Sequence, residues 1–380
     1  MFTTDHNDFA LALYGRLLQR GRNLFFSPFS LRTALAMTYA GARGETAVQM
    51  SKALRFASSN ETLHWAFAEL IRRLYAAGDG RYELNLANSL WGQDGAPLLA
   101  GFPELVTRNY GGEINVVDFR RESENVRVAI NNWVEDKTHA KIRDLIGSLD
   151  RDTRLVVANA VYFKGKWALR FPEIATRDEP FYLEGGGKVQ ARLMHQQEEM
   201  RYLQADGFQA VDLDYRGGDL SMLVLLPDAK DGLRDLEARL SAHVFHDCVA
   251  KMAEREVKLF LPRFKMTRSL DIRRELCALG MPLAFNRFQA DFSGINGHAP
   301  PHQDALSISA VCHQAFIEAN EEGTEAAAAT GIYMIAGMSL HEPLAVPIFR
   351  ADHPFLFAIR DRRSSAVLFL GRMADPTRES

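Results

Sequence analysis

Nine consecutive residues constrain this chain more than any other stretch. Leu155-Val-Val-Ala-Asn-Ala-Val-Tyr-Phe163 is apolar almost throughout. A strand with one wet face alternates apolar and polar side chains, and a strand covered on both faces does not. The run therefore predicts a strand buried on both sides, housed in a sheet with a layer on each face. A chain of 380 residues is long enough to build that core, and length alone would admit two domains. No Pro/Ser-rich linker, low-complexity tract or internal repeat divides it, so one domain spanning 1–380 is expected.

Helices and strands surround that run without strict alternation. Apolar residues recur at helical spacing over 8–19, and Pro28 opens a helix that reaches about Ala40. Further helices are expected over 45–54, 61–75, 102–110 and 126–138, and strands over 82–91 and 114–119. After the buried run, strands dominate to Pro227. Two helices follow within 232–254, then a strand over 256–264 and a helix over 270–279. This mixture argues an α+β fold rather than an alternating α/β one.

The second constraint is a long segment with no obvious packing face, residues 318–349. It is tethered between an apolar, extended-looking run, 306–317, and two apolar runs ending near Met373. Loops of that length are uncommon in compact domains and are usually functional. Its core, Thr324-Glu-Ala-Ala-Ala-Ala-Thr330, contains only Thr, Glu and Ala. Propensity alone makes 325–329 helical. A strand is equally open: Thr324, Ala326, Ala328 and Thr330 would share a small, uncharged face, and no Pro interrupts the ladder. Such a strand could slide into a crowded sheet without forcing its neighbours apart.

Composition excludes several functions. Apolar content of 47% and charged content of 24% are ordinary for a soluble globular protein. A net charge of −3 gives no whole-chain attraction to nucleic acid or anionic membrane. No apolar run approaches a membrane span. The first eight residues lack the basic start and apolar core of a secretory signal, so the chain is expected to be cytoplasmic, or secreted with a signal removed. Cys248, Cys277 and Cys312 are odd in number and show no metal-like spacing, which argues reduced, mostly buried thiols. There is no Gly-x-Ser-x-Gly elbow and no phosphate loop; Gly185-Gly-Gly187 and Gly217-Gly218 read as turns. His243 and His246 could supply half a metal site, but no carboxylate or Cys set joins them. No cofactor, metal or catalytic residue is expected, and the chain is not read as an enzyme.

Several motifs resemble the landmarks of one family. Glu321-Glu-Gly-Thr-Glu-Ala-Ala-Ala-Ala-Thr330 resembles the hinge of the serpins, the serine protease inhibitor superfamily. Phe349-Arg-Ala-Asp-His-Pro-Phe-Leu-Phe-Ala-Ile359 resembles the family's C-terminal signature. Asn23-Leu-Phe-Phe-Ser-Pro-Phe-Ser30, Gly41-Ala-Arg-Gly-Glu-Thr46 and Asn159-Ala-Val-Tyr-Phe-Lys-Gly-Lys-Trp167 fall in the family's order. The resemblance covers nearly the whole chain.

It implies the serpin fold, with about nine helices and three β-sheets, a large central sheet and an exposed reactive-centre loop at about 321–342. It implies a suicide-substrate mechanism in which a serine protease cuts the loop, is acylated, and is trapped as the hinge inserts into the sheet; serpin loop insertion is itself a standard example of strand addition and of a conformational switch. The hinge is then Glu321, Glu322, Gly323, Thr324, Glu325, Ala326, Ala327, Ala328, Ala329 and Thr330. Ser27, Ser30, Asn159 and His313 match the family's shutter, a polar network tying the opening strands together. Trp167, Arg263 and Glu321 match the breach where the loop first enters, with Arg263 and Glu321 within ion-pair distance. The family's usual count from Glu321 lands on Gly337. Ile335-Ala-Gly-Met-Ser-Leu340 resembles the corresponding loop of antithrombin except at Met338, which points instead to the Met338–Ser339 bond; Gly337 is the alternative. The partner implied is a serine protease of chymotrypsin-, elastase- or subtilisin-like preference, bound covalently by a monomeric inhibitor. A non-inhibitory carrier or chaperone-like serpin is the alternative. A heparin-like polyanion at Arg72 and Arg73 would be a weak third, because two arginines make a small patch.

Overall fold

The computed structural model describes residues 2–57, 60–78, 80–324 and 345–378, and two hydrogen-bonded sheets organise them. The six-stranded sheet runs in the order β10 (Phe264–Asp271), β11 (Ile308–Asn320), β12 (Gly323–Thr324), β4 (Leu155–Lys166), β2 (Tyr82–Gln93) and β3 (Glu113–Val117). The nine-stranded sheet runs β1 (Leu24–Phe26), β15 (Val367–Met373), β14 (Phe355–Asp361), β8 (Leu220–Pro227), β7 (Phe208–Asp214), β6 (Lys188–Ala205), β9 (Ala253–Pro262) and β13 (Ile348–Arg350), with β5 (Arg177–Tyr182) beside β6.

β4 is covered on both faces because its side chains serve two cores. Val156, Ala158, Ala160 and Tyr162 enter a small core closed by the helix Phe119–Lys137, which contributes Val126, Ile130 and Val134. Leu155, Val157, Val161 and Phe163 enter the large core between the two sheets. The helix Pro28–Gly41 is buried at every residue and contacts β4 and β15. Asn159 is the polar exception on this face, and it is fully buried.

Ten α-helices occur among the described residues. The expected third sheet is continuous with the second. β6 pairs with β5 through Leu193 and with β7 from Arg201 onward, so its 18 residues carry hydrogen bonding from one group of strands to the other.

Several boundaries differ from the sequence reading; the strand expected over 256–264 is Ala253–Pro262, with Phe264 opening the next strand. The first helix begins at Phe2, because Phe2 and His6 pack against Phe67 and Phe29. The helix expected from Val126 starts at Phe119, capped by Asp118, whose carboxylate accepts from the Arg120 and Arg121 amides. Residues 270 and 271 belong to β10, where Leu270 pairs with His313 and Asp271 with Cys312, and the short helix Arg273–Ala278 follows.

Candidate functional site

The site is built where β11 turns back on itself. A two-residue turn, Glu321–Glu322, joins β11 to β12, with Asn320 paired to Gly323 and Ala319 to Thr324. The Asn320 side-chain oxygen accepts from the Glu322 amide at 3.1 Å and closes the turn. Gly323 has φ +152°, and a Cβ there would lie 2.1 Å from the Gly165 carbonyl oxygen. Only glycine allows this turn and this approach together.

β12 is thereby wedged between two strands. On one side it pairs with β11; on the other, Gly323 faces Lys166 and Thr324 faces Gly165. Further down, β4 and β11 pair directly and in parallel, from Ile308–Leu155 to Phe316–Tyr162. The sheet is thus forked at one end and closed along the rest.

The segment after β4 secures the fork. Trp167 donates its amide to the Glu322 carbonyl at 2.9 Å and its indole N–H to the Asn320 carbonyl at 2.9 Å. The Phe171 amide donates to the Glu321 carbonyl at 3.0 Å. The Glu321 carboxylate is buried; it receives Arg263 Nε at 2.6 Å, Arg263 Nη2, and the Thr176 hydroxyl. A buried carboxylate needs that many donors to offset its lost hydration. Arg170 lies 3.7 Å from Glu322. Trp167 stacks on Tyr215, whose hydroxyl is 2.7 Å from Thr324 Oγ1.

A second polar group lies at mid-sheet. The Ser27 amide donates to His313 Nε2 at 3.0 Å. An amide N–H cannot accept, so Nε2 is unprotonated and the neutral ring carries its proton on Nδ1. Nδ1–H then donates to Asn159 Oδ1, and Asn159 Nδ2 donates to Ser30 Oγ and Asn88 Oδ1. Ser27 Oγ accepts from the Ser30 amide at 3.1 Å and donates to the Leu368 carbonyl at 2.7 Å. Burial holds the His313 imidazole down from its ordinary 6.5 to about 3. The chain reads across β11, β4, β2, the helix Pro28–Gly41 and β15. It joins β4 to β11 by side chains at the very place where their backbones pair, His313 with Asn159.

Ser27, Ser30, Asn159 and His313 therefore stand in one network, and Trp167, Arg263 and Glu321 in another. Glu325, Ala326, Ala327, Ala328, Ala329, Thr330, Gly337, Met338 and Ser339 lie outside the described residues. Sequence reasoning missed Gly165, Phe171, Thr176, Tyr215 and Asn88. Gly165 sits inside the recognised Asn159-to-Trp167 motif; nothing local marks the other four. Arg72 is paired with Glu69 at 2.8 Å on the surface, and Arg73 with Asp361 at 2.6 Å. Among the described residues no group of three or more His, Cys, Asp or Glu could hold a metal ion, and no helix is long and apolar enough to cross a membrane.

A sheet forked at one end, a two-residue strand seated in the fork and a polar tie lower in the same sheet make up the site. Comparison with known proteins gives the family. The serpin (serine protease inhibitor) family model matches residues 4–376, and this chain belongs to that family. It is 39% identical to the leukocyte elastase inhibitor of Xenopus laevis over 93% of each chain. The native structure of the thermophilic serpin tengpin superposes with a TM-score of 0.90 at 27% identity, covering 98% of this chain and 94% of that one. Human thyroxine-binding globulin, solved in complex with thyroxine, superposes with a TM-score of 0.87 at 28% identity, covering 99% of this chain and 98% of that one.

Proposed function

We propose that this chain is a suicide-substrate inhibitor of serine proteases, acting as a monomer and as one domain, 1–380. The observation that carries the reading is the seating of Thr324 between β4 and β11 while those strands remain paired below it. The first residues of an additional strand are in place, and the rest of its track is closed. In this reading a protease attacks the Met338–Ser339 bond and its serine is acylated by the Met338 carbonyl, releasing Ser339 as a new amino terminus. The freed hinge runs on between β4 and β11. About fifteen residues at about 3.3 Å each would carry the acyl-enzyme roughly 50 Å from where it docked. Inhibition requires insertion to outrun hydrolysis of the ester.

The sequence supports the inhibitory form. Residues 324, 326, 328 and 330 are Thr, Ala, Ala and Thr, with no charge or Pro to stall the strand. From Gly323 to Phe349 there is no Lys or Arg. A trypsin-like pocket requires a basic side chain to meet its buried Asp, whereas Met suits an apolar pocket. The likeness of 335–340 to the antithrombin loop favours the cut after Met338, with Gly337 as the alternative. Relatives named as elastase inhibitors agree with an apolar preference.

Incubation with chymotrypsin, elastase, subtilisin and trypsin tests this. We expect a complex stable on a denaturing gel with one or more of the first three, and a released peptide whose mass begins at Ser339. Fast, stoichiometric inhibition of trypsin refutes the preference. Clean cleavage by all four with no complex favours a carrier, the function to which thyroxine-binding globulin puts the same fold.

A further inference from the structure

One residue at the fork belongs to the other sheet. Tyr215 follows β7, its amide donates to the Leu220 carbonyl at 3.0 Å, and it bridges to Trp167. Its side chain is fully buried, stacked on Trp167 with ring centroids 4.7 Å apart and edge-on to Phe163 at 5.0 Å. In this slot the Tyr215 hydroxyl meets Thr324 Oγ1 at 2.7 Å. The slot exists because of Gly165: a Cβ there would stand 2.7 Å from the Tyr215 ring. Gly323 and Gly165 lie against each other with no room for a side chain on either. The ring is thus a peg, fixed from the nine-stranded sheet and reaching to one atom of the hinge.

We propose that Tyr215 is a positioning residue that sets the register of strand insertion. It holds Thr324 opposite Gly165 and Ala319 before the loop is cut, so every later residue of the hinge enters in a single alignment. This rests on the insertion mechanism proposed above. The need is physical: a slip of one residue would turn every inward side chain outward. The first contact is also the one that must be made without help from neighbours, because chain closure is met before later pairs reward it. A buried phenol without a partner is costly, so the peg also selects a hydroxyl at 324. Thr and Ser fit; Ala and Val leave Tyr215 unpaired.

A double-mutant cycle with Tyr215→Phe and Thr324→Val tests the contact, with Thr324→Ser as the conservative rescue. We expect Tyr215→Phe to leave the rate at which a target protease first attacks the loop within about twofold. We expect productive, in-register insertion to slow about three- to tenfold, because one hydrogen bond no longer favours this alignment over others. The stoichiometry of inhibition rises accordingly. The double variant should be no worse than either single one, and Thr324→Ser should restore wild-type stoichiometry. Gly165→Ala, which drives a methyl into the ring, should raise the stoichiometry further than Tyr215→Phe. The cycle is repeated on chains nicked by a metalloprotease, which forms no acyl-enzyme, following the rate at which the nicked form gains thermal stability. Coupling there, with no wild-type complex on the gel, keeps the register role and removes the inhibitor reading. Additive effects of the two single variants, or an unchanged rate in Tyr215→Phe, overturn the proposal.

Discussion

His313 is where burial and hydrogen bonding decide a protonation state. Its Nε2 faces an amide N–H, so a second ring proton has nowhere to go. With a folded value of about 3 against an ordinary 6.5, the unfolded chain takes up a proton that the folded chain refuses. Stability is therefore full above about pH 6.5 and drains as pH falls towards about 3, by about 1.4 kcal/mol per pH unit. His6 behaves alike: burial holds it to about 3, and its Nε2 bonds the Val367 carbonyl at 2.7 Å. Urea unfolding between about pH 5.5 and about pH 4 should show a slope lower by about 1.4 kcal/mol per unit in His313→Gln than in wild type; an unchanged slope would show that His313 is not a buried neutral base. Arg263 poses a different residue-level question. It pairs with a buried Glu321 while its own side chain stays 33% exposed. Arg263→Ala should cost about 2 kcal/mol, less than removing one partner of a fully buried pair, because water can partly reach Glu321. Denaturant melts of Arg263→Ala and Glu321→Gln would check this, the second being milder because it removes the charge that needs Arg263.

At the scale of elements, the register of β12 can be carried forward. Thr324 faces Gly165 on β4 and Ala319 on β11, both antiparallel. Two residues further along the hinge, Ala326 would face Phe163 and Ile317; Ala328 would face Val161 and Ala315. Six residues along, Thr330 would face Asn159 and His313, which pair with each other while the sheet is closed. The inserted strand thus ends its small run at the polar tie and must break it. A hydroxyl both donates and accepts, so Thr330 can accept a hydrogen bond from His313 Nδ1–H and donate one to Asn159 Oδ1. Odd positions matter as well: Ala327 would enter between Tyr162 and Phe316, beneath the helix Phe119–Lys137. Small residues are needed on both faces because both faces of the sheet are covered. Thr330→Val should leave the intact chain unchanged and lower the stability of the nicked form by about 2 kcal/mol; a crystal structure of the nicked form with any other residue between Asn159 and His313 would refute the alignment. Much of this was legible in the sequence. The apolar run, interrupted only at Asn159, announced a strand between two layers, and the helix Phe102–Tyr110 matches its expected bounds. Polar first turns hid the start of the helix at Phe119, and at Leu270 pairing with β11 overrode a helical pattern. Tyr215 could not be read at all, since its partners lie at 163, 165, 167 and 324 and meet only in the folded chain.

For the whole molecule, the insertion mechanism proposed above requires the native chain to stop short of its most stable arrangement. The β4–β11 pairing occupies the track that the hinge would fill, and a strand gained there adds a ladder on each side. If insertion gains about a dozen backbone bonds net of the β4–β11 ladder it breaks, each contributing about 0.5–1.5 kcal/mol, it releases on the order of 10 kcal/mol, as much as typical domains have in total. Unfolding entropy grows with chain length, so for a chain of this size that energy corresponds to a rise in melting temperature of at least about 10 °C. In that mechanism, connectivity keeps the intact chain from collapsing into the inserted state. The loop is covalently joined to β13 at its far end, and β13 is held in the nine-stranded sheet by its pairing with β9. Cutting anywhere in 331–340 removes that tether without touching a described residue. Melting the chain before and after such a cut should therefore separate the two forms, the nicked one unfolding later. Tying 331–340 back to the nine-stranded sheet with an engineered disulfide should abolish the gain under oxidising conditions and restore it on reduction. A nicked chain that melts with the intact one would mean that the closed sheet is already the ground state, and the fork at Thr324 would then be a turn with no onward strand.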